Sequence, residues 1–176
     1  VYCGSFSKSI APALRVGYIV ADWPVLSRML PLKTDGGTGA LEQMVLAEYL
    51  AGPFDGHVAA LRSTLKGKCE AMMEAVNREF GAAAEFSAPK GGIFLWVTLP
   101  DAVDTAQLFK AAGAEGVAIN PGGEWSADAA AGSHKLRLCF ANPSVEEIRE
   151  GVAKLAEICH REFGVPVRSG NVGRSG

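Results

Sequence analysis

The sequence predicts an α/β protein built in two parts. Segments typical of strands and of helices alternate along the chain, as they do in α/β folds. A long amphipathic pattern over 54–80 predicts one helix, because its apolar residues recur at steps of three, four or seven. Beyond residue 81 the order strand, helix, strand, strand, helix predicts a small α/β unit, which this helix joins to the remnant of a larger one.

The first part, residues 1–53, is expected to hold two buried strands and two helices. The strands are predicted around Val1–Cys3 and over Val16–Ala21. Asp22 is expected to cap a helix that continues to Leu32, and Thr38 to cap the second helix. Because Val1 already lies inside the first predicted strand, we expect the chain to be the C-terminal part of a longer protein.

The second part, residues 81–164, has clear start signals for its elements. Strands are expected over Ile93–Leu99, Val117–Asn120 and Lys135–Phe140. A helix capped by Asp104 is expected over Thr105–Ala112. A last helix is expected to begin at the capping box that Ser144 and Glu147 form. The end, 165–176, is rich in glycine, serine and arginine and is expected to be a disordered tail.

Composition excludes several classes of function. The 176 residues are 48% hydrophobic and 20% charged, which excludes an intrinsically disordered protein. With 17 basic and 19 acidic residues the net charge is −2, so we expect no contact with nucleic acid or with an anionic membrane. No apolar run reaches the roughly 20 residues of a membrane-spanning helix.

The cysteines and histidines predict reduced thiols and no metal site. The four cysteines contain no C-x-x-C pair, and the three histidines show no spacing typical of metal ligands. Scattered unpaired cysteines are typical of a cytoplasmic protein.

The segment Gly4–Tyr18 carries the most chemistry of any part of the sequence. It lies between the first two predicted strands and holds Lys8, Arg15 and three serine hydroxyls. The amine could act as a nucleophile once deprotonated, and the hydroxyls and guanidinium suit an oxyanion such as phosphate. The segment therefore predicts either a nucleophile beside an anion site or an ordinary solvated loop.

Two generic motifs fit this segment poorly. A phosphate-binding P-loop needs a glycine where Ser7 stands before Lys8. A Ser-x-x-Lys hydrolase motif matches Ser5 and Lys8, but its companion motifs S-D-N and K-T-G are absent.

Four motifs in sequence order resemble the class I/II aminotransferases, fold-type I enzymes that depend on pyridoxal 5′-phosphate. They are Ser-Phe-Ser-Lys with Ala-Pro-x-Leu-Arg-x-Gly-Tyr over 5–18, Gly-Gly-Ile-Phe-Leu-Trp over 91–96, the turn over 116–125, and Leu-Arg-Leu-Cys-Phe with its following helix from residue 136. The first resembles in particular the 2-aminoadipate and kynurenine-type transaminases and the aminotransferase-like domains of MocR-type regulators. The resemblance implies the C-terminal part of the fold-type I fold.

The resemblance also implies a role for each matched residue. Lys8 matches the lysine that forms the internal aldimine with the cofactor, and Ser5, Ser7 and Arg15 match groups that bind its phosphate. Arg137 matches the arginine that binds the substrate α-carboxylate. It lies in an otherwise apolar strand, where a lone cation is costly unless it is paired. Its alternative is an arginine on the polar face of an alternating strand.

Three glycines and one tryptophan leave alternatives open. Gly91, Gly92 and Gly122 are expected either to let the backbone approach a substrate or only to make turns. Trp125 stands where the family usually has phenylalanine, and whether it shapes the substrate pocket is open at this stage.

The activity implied by the resemblance is transfer of an amino group between an amino acid and a 2-oxo acid, in a homodimer. The alternative is a domain of a MocR-type transcription regulator that senses pyridoxal phosphate and an amino acid. We expect residues 1–176 alone to be inactive, because in this family the residues that stack on the cofactor ring and pair with its nitrogen would precede Val1.

Overall fold

The computed structural model describes residues 1–167, and in them strands and helices alternate as the sequence predicts. The chain divides into two units, one over Val1–Ser63 and one from Thr64 onward. The division falls inside one long helix, Phe54–Phe80, called α3.

Two strands and two helices precede α3 in the first unit. Strand β1 is Tyr2–Ser5, β2 is Gly17–Val20, α1 is Trp23–Met29 and α2 is Ala40–Ala51, with short 3₁₀ turns at Pro12–Leu14 and Leu30–Leu32. Strands β1 and β2 pair antiparallel, with Tyr2 opposite Val20 and Ser5 opposite Gly17.

Both strands form where they are predicted, but the expectation that they are buried is wrong. Tyr2 is 61% exposed and Val20 60%, and Val16 is the residue of this ribbon that is buried. Each strand has a single neighbouring strand among the described residues, and the ribbon leaves apolar side chains such as Tyr2 and Val20 exposed.

The two helices of the first unit start or stop differently from the prediction. Helix α1 gives way to a 3₁₀ turn at Leu30, because Pro31 lacks the amide hydrogen that would continue the helical hydrogen bonds. Asp22 stands at the N-cap of α1 but makes no capping hydrogen bond with its side chain. Gly39, not Thr38, is the N-cap of α2, and the Thr38 carbonyl accepts from the Gln43 side chain.

Helix α3, Phe54–Phe80, has the predicted bounds. Its C-terminal half is buried through Met72, Val76 and Phe80, which belong to the predicted apolar stripe. Gly81 follows with φ of 54°, a left-handed conformation that favours glycine and ends the helix.

The second unit packs a three-stranded antiparallel sheet against helices. Its elements are β3 at Phe94–Thr98, α4 at Thr105–Ala114, β4 at Asn120–Pro121, β5 at Lys135–Cys139 and α5 at Val145–Phe163. The strand order is β3-β5-β4, so β5 is central. One apolar core joins the inner face of the sheet to α3, α4 and α5.

The predicted start signals of this unit are confirmed. The Asp104 carboxylate accepts from the amides of Ala106 and Gln107 at the start of α4. The Ser144 hydroxyl accepts from the Glu147 amide at 3.1 Å, and the Glu147 carboxylate accepts from the Ser144 amide at 2.7 Å. This exchange holds the pKa of the Glu147 carboxyl below its ordinary value.

Two predictions for this unit need correction. The strand expected over Val117–Asn120 is only the short Asn120–Pro121, whose two residues pair with Arg137 and Leu136 of β5. The chain is still packed at Val165, which contacts the core, and the Pro166 carbonyl accepts from His160 Nδ1 at 2.7 Å. The rest of the predicted tail, 168–176, lies outside the described residues.

Among the helices of residues 1–167, none combines the length and apolar character needed to cross a bilayer.

Loss of the capping box should weaken the second unit. We expect Ser144→Ala to lower the free energy of unfolding by about 1 kcal/mol, because the Glu147 amide loses its acceptor. Urea denaturation followed by circular dichroism measures the change. Ser87→Ala, at an exposed position, serves as the control; equal stability of the two variants would contradict the role of the cap.

Candidate functional site

The segment between β1 and β2 forms a tightly bonded loop. Ser5 and Gly17 face each other at the end of the two-stranded ladder, and the Phe6 amide donates to the Val16 carbonyl at 3.1 Å just beyond it. Inside the loop the Ile10 amide donates to the Phe6 carbonyl at 2.9 Å. Backbone hydrogen bonds therefore bring both ends of the loop, and with them the predicted residues Ser5, Ser7, Lys8 and Arg15, to one end of the ribbon.

Ser5 and Ser7 are close neighbours in the loop. The Ser5 hydroxyl accepts from the Ser7 amide at 3.1 Å, which is the local turn chemistry expected of serine. The same hydroxyl keeps its own hydrogen, which it can donate to an anion. Lys8 is exposed at the surface of the loop.

Arg15 has the unusual backbone of this loop. Its φ of 52° is the only positive value at a non-glycine residue within 1–167. Its Nη1 donates to the Pro12 carbonyl at 3.0 Å, which ties the side chain back to the 3₁₀ turn. Left-handed backbone at a non-glycine residue is costly and often occurs at functional sites.

Neither Lys8 nor Arg15 forms an ion pair with another described residue. The loop thus offers two cations and two serine hydroxyls with no carboxylate to neutralise them. This set of donors fits a phosphate group, and Lys8 adds a primary amine beside it.

His57 supports the loop, and sequence reasoning did not find it. Its Nε2 donates to the carbonyl of Ser9, the residue after Lys8, at 2.8 Å. The Tyr49 ring meets the His57 ring edge-on, with centroids 5.7 Å apart. No local signal could have indicated this contact, because α3 supplies His57 from far along the chain.

Aromatic rings cover one side of the ribbon. The Tyr18 ring lies across Gly4, where a Cβ atom would come within 2.3 Å of the ring, so only glycine leaves room for it. The rings of Phe6 and Tyr2 pack beside Tyr18 at 5.4 and 6.0 Å. A hydrogen bond with Tyr2 raises the pKa of the Tyr18 phenol above its ordinary value.

Arg137 belongs to the second unit and lies in the middle of the central strand β5. Leu136 and Leu138 point into the core, whereas Arg137 lies on the opposite, half-exposed face. The strand therefore alternates, as the alternative interpretation expected. The guanidinium is nevertheless not a free surface group: it stacks on Phe94 and Trp125, and its Nε is enclosed without a hydrogen-bond partner among residues 1–167.

The structure separates the roles of the three glycines. A Cβ atom at Gly122 would come within 2.6 Å of the Lys135 carbonyl oxygen, so Gly122 is required for close backbone packing. Gly92 has φ of 84°, which only a turn-forming glycine adopts readily, whereas Gly91 faces open space.

Comparison with known proteins identifies the family. A family model described as aminotransferase class I and II matches residues 1–155. The chain belongs to this aminotransferase family.

Relatives of this aminotransferase-family chain include enzymes and regulators. A 2-aminoadipate transaminase of Thermus thermophilus is 37% identical to it over 157 residues, 88% of this chain and 39% of that protein. An uncharacterized HTH-type transcriptional regulator of Bacillus subtilis, YdfD, is 32% identical over 158 residues, 88% of this chain and 32% of that protein.

Solved aminotransferase structures share the fold. The crystal structure of LysN, an alpha-aminoadipate aminotransferase from Thermus thermophilus complexed with N-(5′-phosphopyridoxyl)-L-leucine, matches with a TM-score of 0.84 and 35% identity. The match covers 93% of this chain and 42% of LysN. The fold-type I α/β class predicted from the sequence is therefore confirmed, and the chain spans less than half the length of each of these relatives.

The packing at Gly122 can be tested by adding one methyl group. We expect Gly122→Ala to lower the free energy of unfolding by roughly 1–3 kcal/mol, because the backbones of the turn and of β5 must move apart. Thermal or urea unfolding measures the loss. Gly91→Ala is the matched control in open space, and a change at Gly122 no larger than at Gly91 would contradict the close contact.

Proposed function

We propose that the chain is part of a pyridoxal-phosphate-dependent aminotransferase. The observation that carries the proposal is the loop around Lys8, whose two cations form no ion pair among the described residues, in a chain of the aminotransferase family. The 37% identity to a 2-aminoadipate transaminase over 88% of the chain supports the same activity. The substrates are an amino acid and a 2-oxo acid.

Four residues of the loop are proposed to hold the cofactor. Arg15 and the hydroxyls of Ser5 and Ser7 bind its phosphate, since a guanidinium and short hydroxyl arms are strong donors to a dianion. The Lys8 amine would hold the cofactor covalently through its aldehyde group, with loss of water. The His57 contact to the Ser9 carbonyl keeps the loop in place while Lys8 acts.

The reaction divides between the cofactor and the protein. Pyridoxal phosphate, when bound, supplies the electron sink that makes the substrate Cα acidic. The Lys8 Nζ, when it is a free amine, would act as the base that takes the proton from the substrate Cα. Arg137 binds the substrate α-carboxylate with paired N–H donors and so orients Cα.

The cellular location and the oligomeric state are proposed from the cysteines and from the exposed apolar side chains. The four cysteines are free thiols, which is consistent with a cytoplasmic protein. Trp23 is 67% and Leu32 79% exposed in the first unit, and exposed apolar side chains of this size are typical of an interface. We therefore propose a homodimer that contacts neither nucleic acid nor membrane through this region.

A second candidate is the sensing domain of a MocR-type transcription regulator. It is favoured by the 32% identity to an HTH-type regulator over 88% of the chain. The two candidates differ in what the gene encodes in frame before Val1. A basic winged-helix segment there, with sequence-specific DNA binding by the complete gene product, would favour the regulator over the enzyme.

The Lys8 assignment predicts a single site of covalent attachment. In the complete gene product supplied with pyridoxal phosphate, we expect borohydride reduction to place the cofactor on Lys8 by mass spectrometry. Lys8→Ala and Lys8→Arg should both lose the visible absorbance of the bound cofactor and transamination, because neither side chain offers the amine.

Lys90→Ala is the control, since Lys90 is an exposed lysine outside the loop. A reduced adduct on Lys33 or Lys90, or full activity of Lys8→Ala, would refute the assignment.

The two arginines are predicted to act on different ligands. We expect Arg137→Ala to keep the cofactor but to raise KM for amino acids by about 30- to 5,000-fold, the effect of losing one partner of a desolvated charge pair. Arg15→Ala should instead weaken cofactor binding, measured by titration of the apoprotein.

Lys135→Ala is the control for Arg137, because Lys135 lies on the same face of β5. Unchanged KM in Arg137→Ala, or an equal rise in Lys135→Ala, would exclude the carboxylate role.

A further inference from the structure

Arg137 is held between two aromatic rings from different segments of the second unit. Its guanidinium carbon lies 3.8 Å from the centre of the Phe94 ring and 3.4 Å from the Trp125 ring. Two rings cannot occupy the same space beside so small a group at these distances, so they approach it from different sides. Phe94 and Trp125 together are called the aromatic clamp below.

We infer that the aromatic clamp positions Arg137: it holds the guanidinium in one plane and presents its two terminal nitrogens to the substrate carboxylate. The inference rests on the proposed function, in which Arg137 binds that carboxylate. It assigns Phe94 and Trp125 as positioning residues, since they act through Arg137.

The stacking leaves the hydrogen-bond donors of Arg137 unused. The N–H bonds of a guanidinium all lie in its plane, so rings stacked on it attract the cation without consuming a donor. Nε is enclosed and has no partner among residues 1–167, whereas the two terminal nitrogens are not enclosed. A carboxylate can therefore reach Arg137 only end-on, through Nη1 and Nη2, in the plane of the guanidinium.

Strand register places Phe94 under Arg137. Trp96 is the direct partner of Arg137 on β3, and Phe94 lies two residues earlier on the same face of the sheet. That diagonal position is within reach of a long side chain. The Asn120 side chain also donates to the Arg137 carbonyl at 3.4 Å, which ties β4 to the backbone of this residue.

The turn that carries Trp125 is pressed onto β5. Gly122 lies directly against the carbonyls of Lys135 and Gly132, so the turn Gly122–Trp125 has no room to shift. Trp125 itself is 53% exposed, so burial in a core does not explain its position. Its stacking on Arg137 explains that position.

A clamp of this kind should act on substrate binding more than on turnover. Arginine has many rotamers, and a ligand that must order it loses part of its affinity. The carboxylate is bound both in the ground state and during the reaction, so losing the clamp should raise KM with little change in kcat.

The kinetic test compares variants of the complete gene product loaded with pyridoxal phosphate. The amino donor is whichever of L-leucine, L-2-aminoadipate or L-phenylalanine the unmodified protein uses best. We expect Trp125→Leu and Phe94→Leu each to raise KM about five- to tenfold, with kcat and cofactor affinity nearly unchanged. Trp125→Phe should restore KM, since phenylalanine also stacks on a guanidinium.

Phe109→Leu is the matched control, because Phe109 is an exposed aromatic on α4. An unchanged KM in Trp125→Leu and Phe94→Leu would overturn the inference. So would failure of Trp125→Phe to restore KM, because that result would indicate a role specific to tryptophan.

A binding measurement separates this inference from the proposed activity. In the complete gene product, every tryptophan except Trp125 is replaced by phenylalanine, Trp23 and Trp96 among them, so that Trp125 is the one fluorescent reporter. L-Leucine should change its fluorescence, L-leucinamide should not, and Arg137→Lys should abolish the change. If the fluorescence changes in this way but the protein does not catalyse transamination, the proposed activity is refuted and the role of the aromatic clamp stands. If the fluorescence does not depend on the carboxylate, the role of the clamp is overturned, even when the protein is an active enzyme.

Discussion

The alternation of side chains along the central strand β5 is the constraint on which the second unit depends. Leu136 and Leu138 point to one face and enter the core, so Arg137 between them must lie on the other. A shift of one residue in strand pairing would bury the arginine and expose both leucines. Antiparallel partners on both sides of β5 prevent that shift, and they also fix which aromatic side chains can reach Arg137.

The first unit is organised by backbone hydrogen bonds more than by burial. Val16 and Leu46 are its only buried hydrophobic residues among those described, yet the loop around Lys8 is closed by bonds between Phe6 and Val16 and between His57 and Ser9. A loop held in this way can expose charged side chains without collapsing. That property suits a site that must accept an anionic ligand.

Much of the fold was predictable because its signals are local. Helix α3 begins and ends as predicted, and Ser144 with Glu147 forms the predicted capping box, since apolar periodicity and capping depend on residues within a turn or two of each other. The errors have local and tertiary causes. Pro31 ended α1 early. The strands of the first unit were expected to be buried but are exposed, because apolar composition does not show how many neighbours a strand has. The roles of Ser5, Ser7, Lys8, Arg15 and Arg137 came from resemblance, and they stay predictions.

The sequence by itself determined the order of elements, the caps of the last two helices and the family, because each depends on the identity of residues near one another or on motifs in order. Only the tertiary structure decided what surrounds Arg137. Phe94 reaches it through the register of β3 on β5, and Trp125 through a turn that Gly122 allows to lie on the strand. These contacts join segments far apart in sequence, and such proximity is set by packing, which no local pattern records.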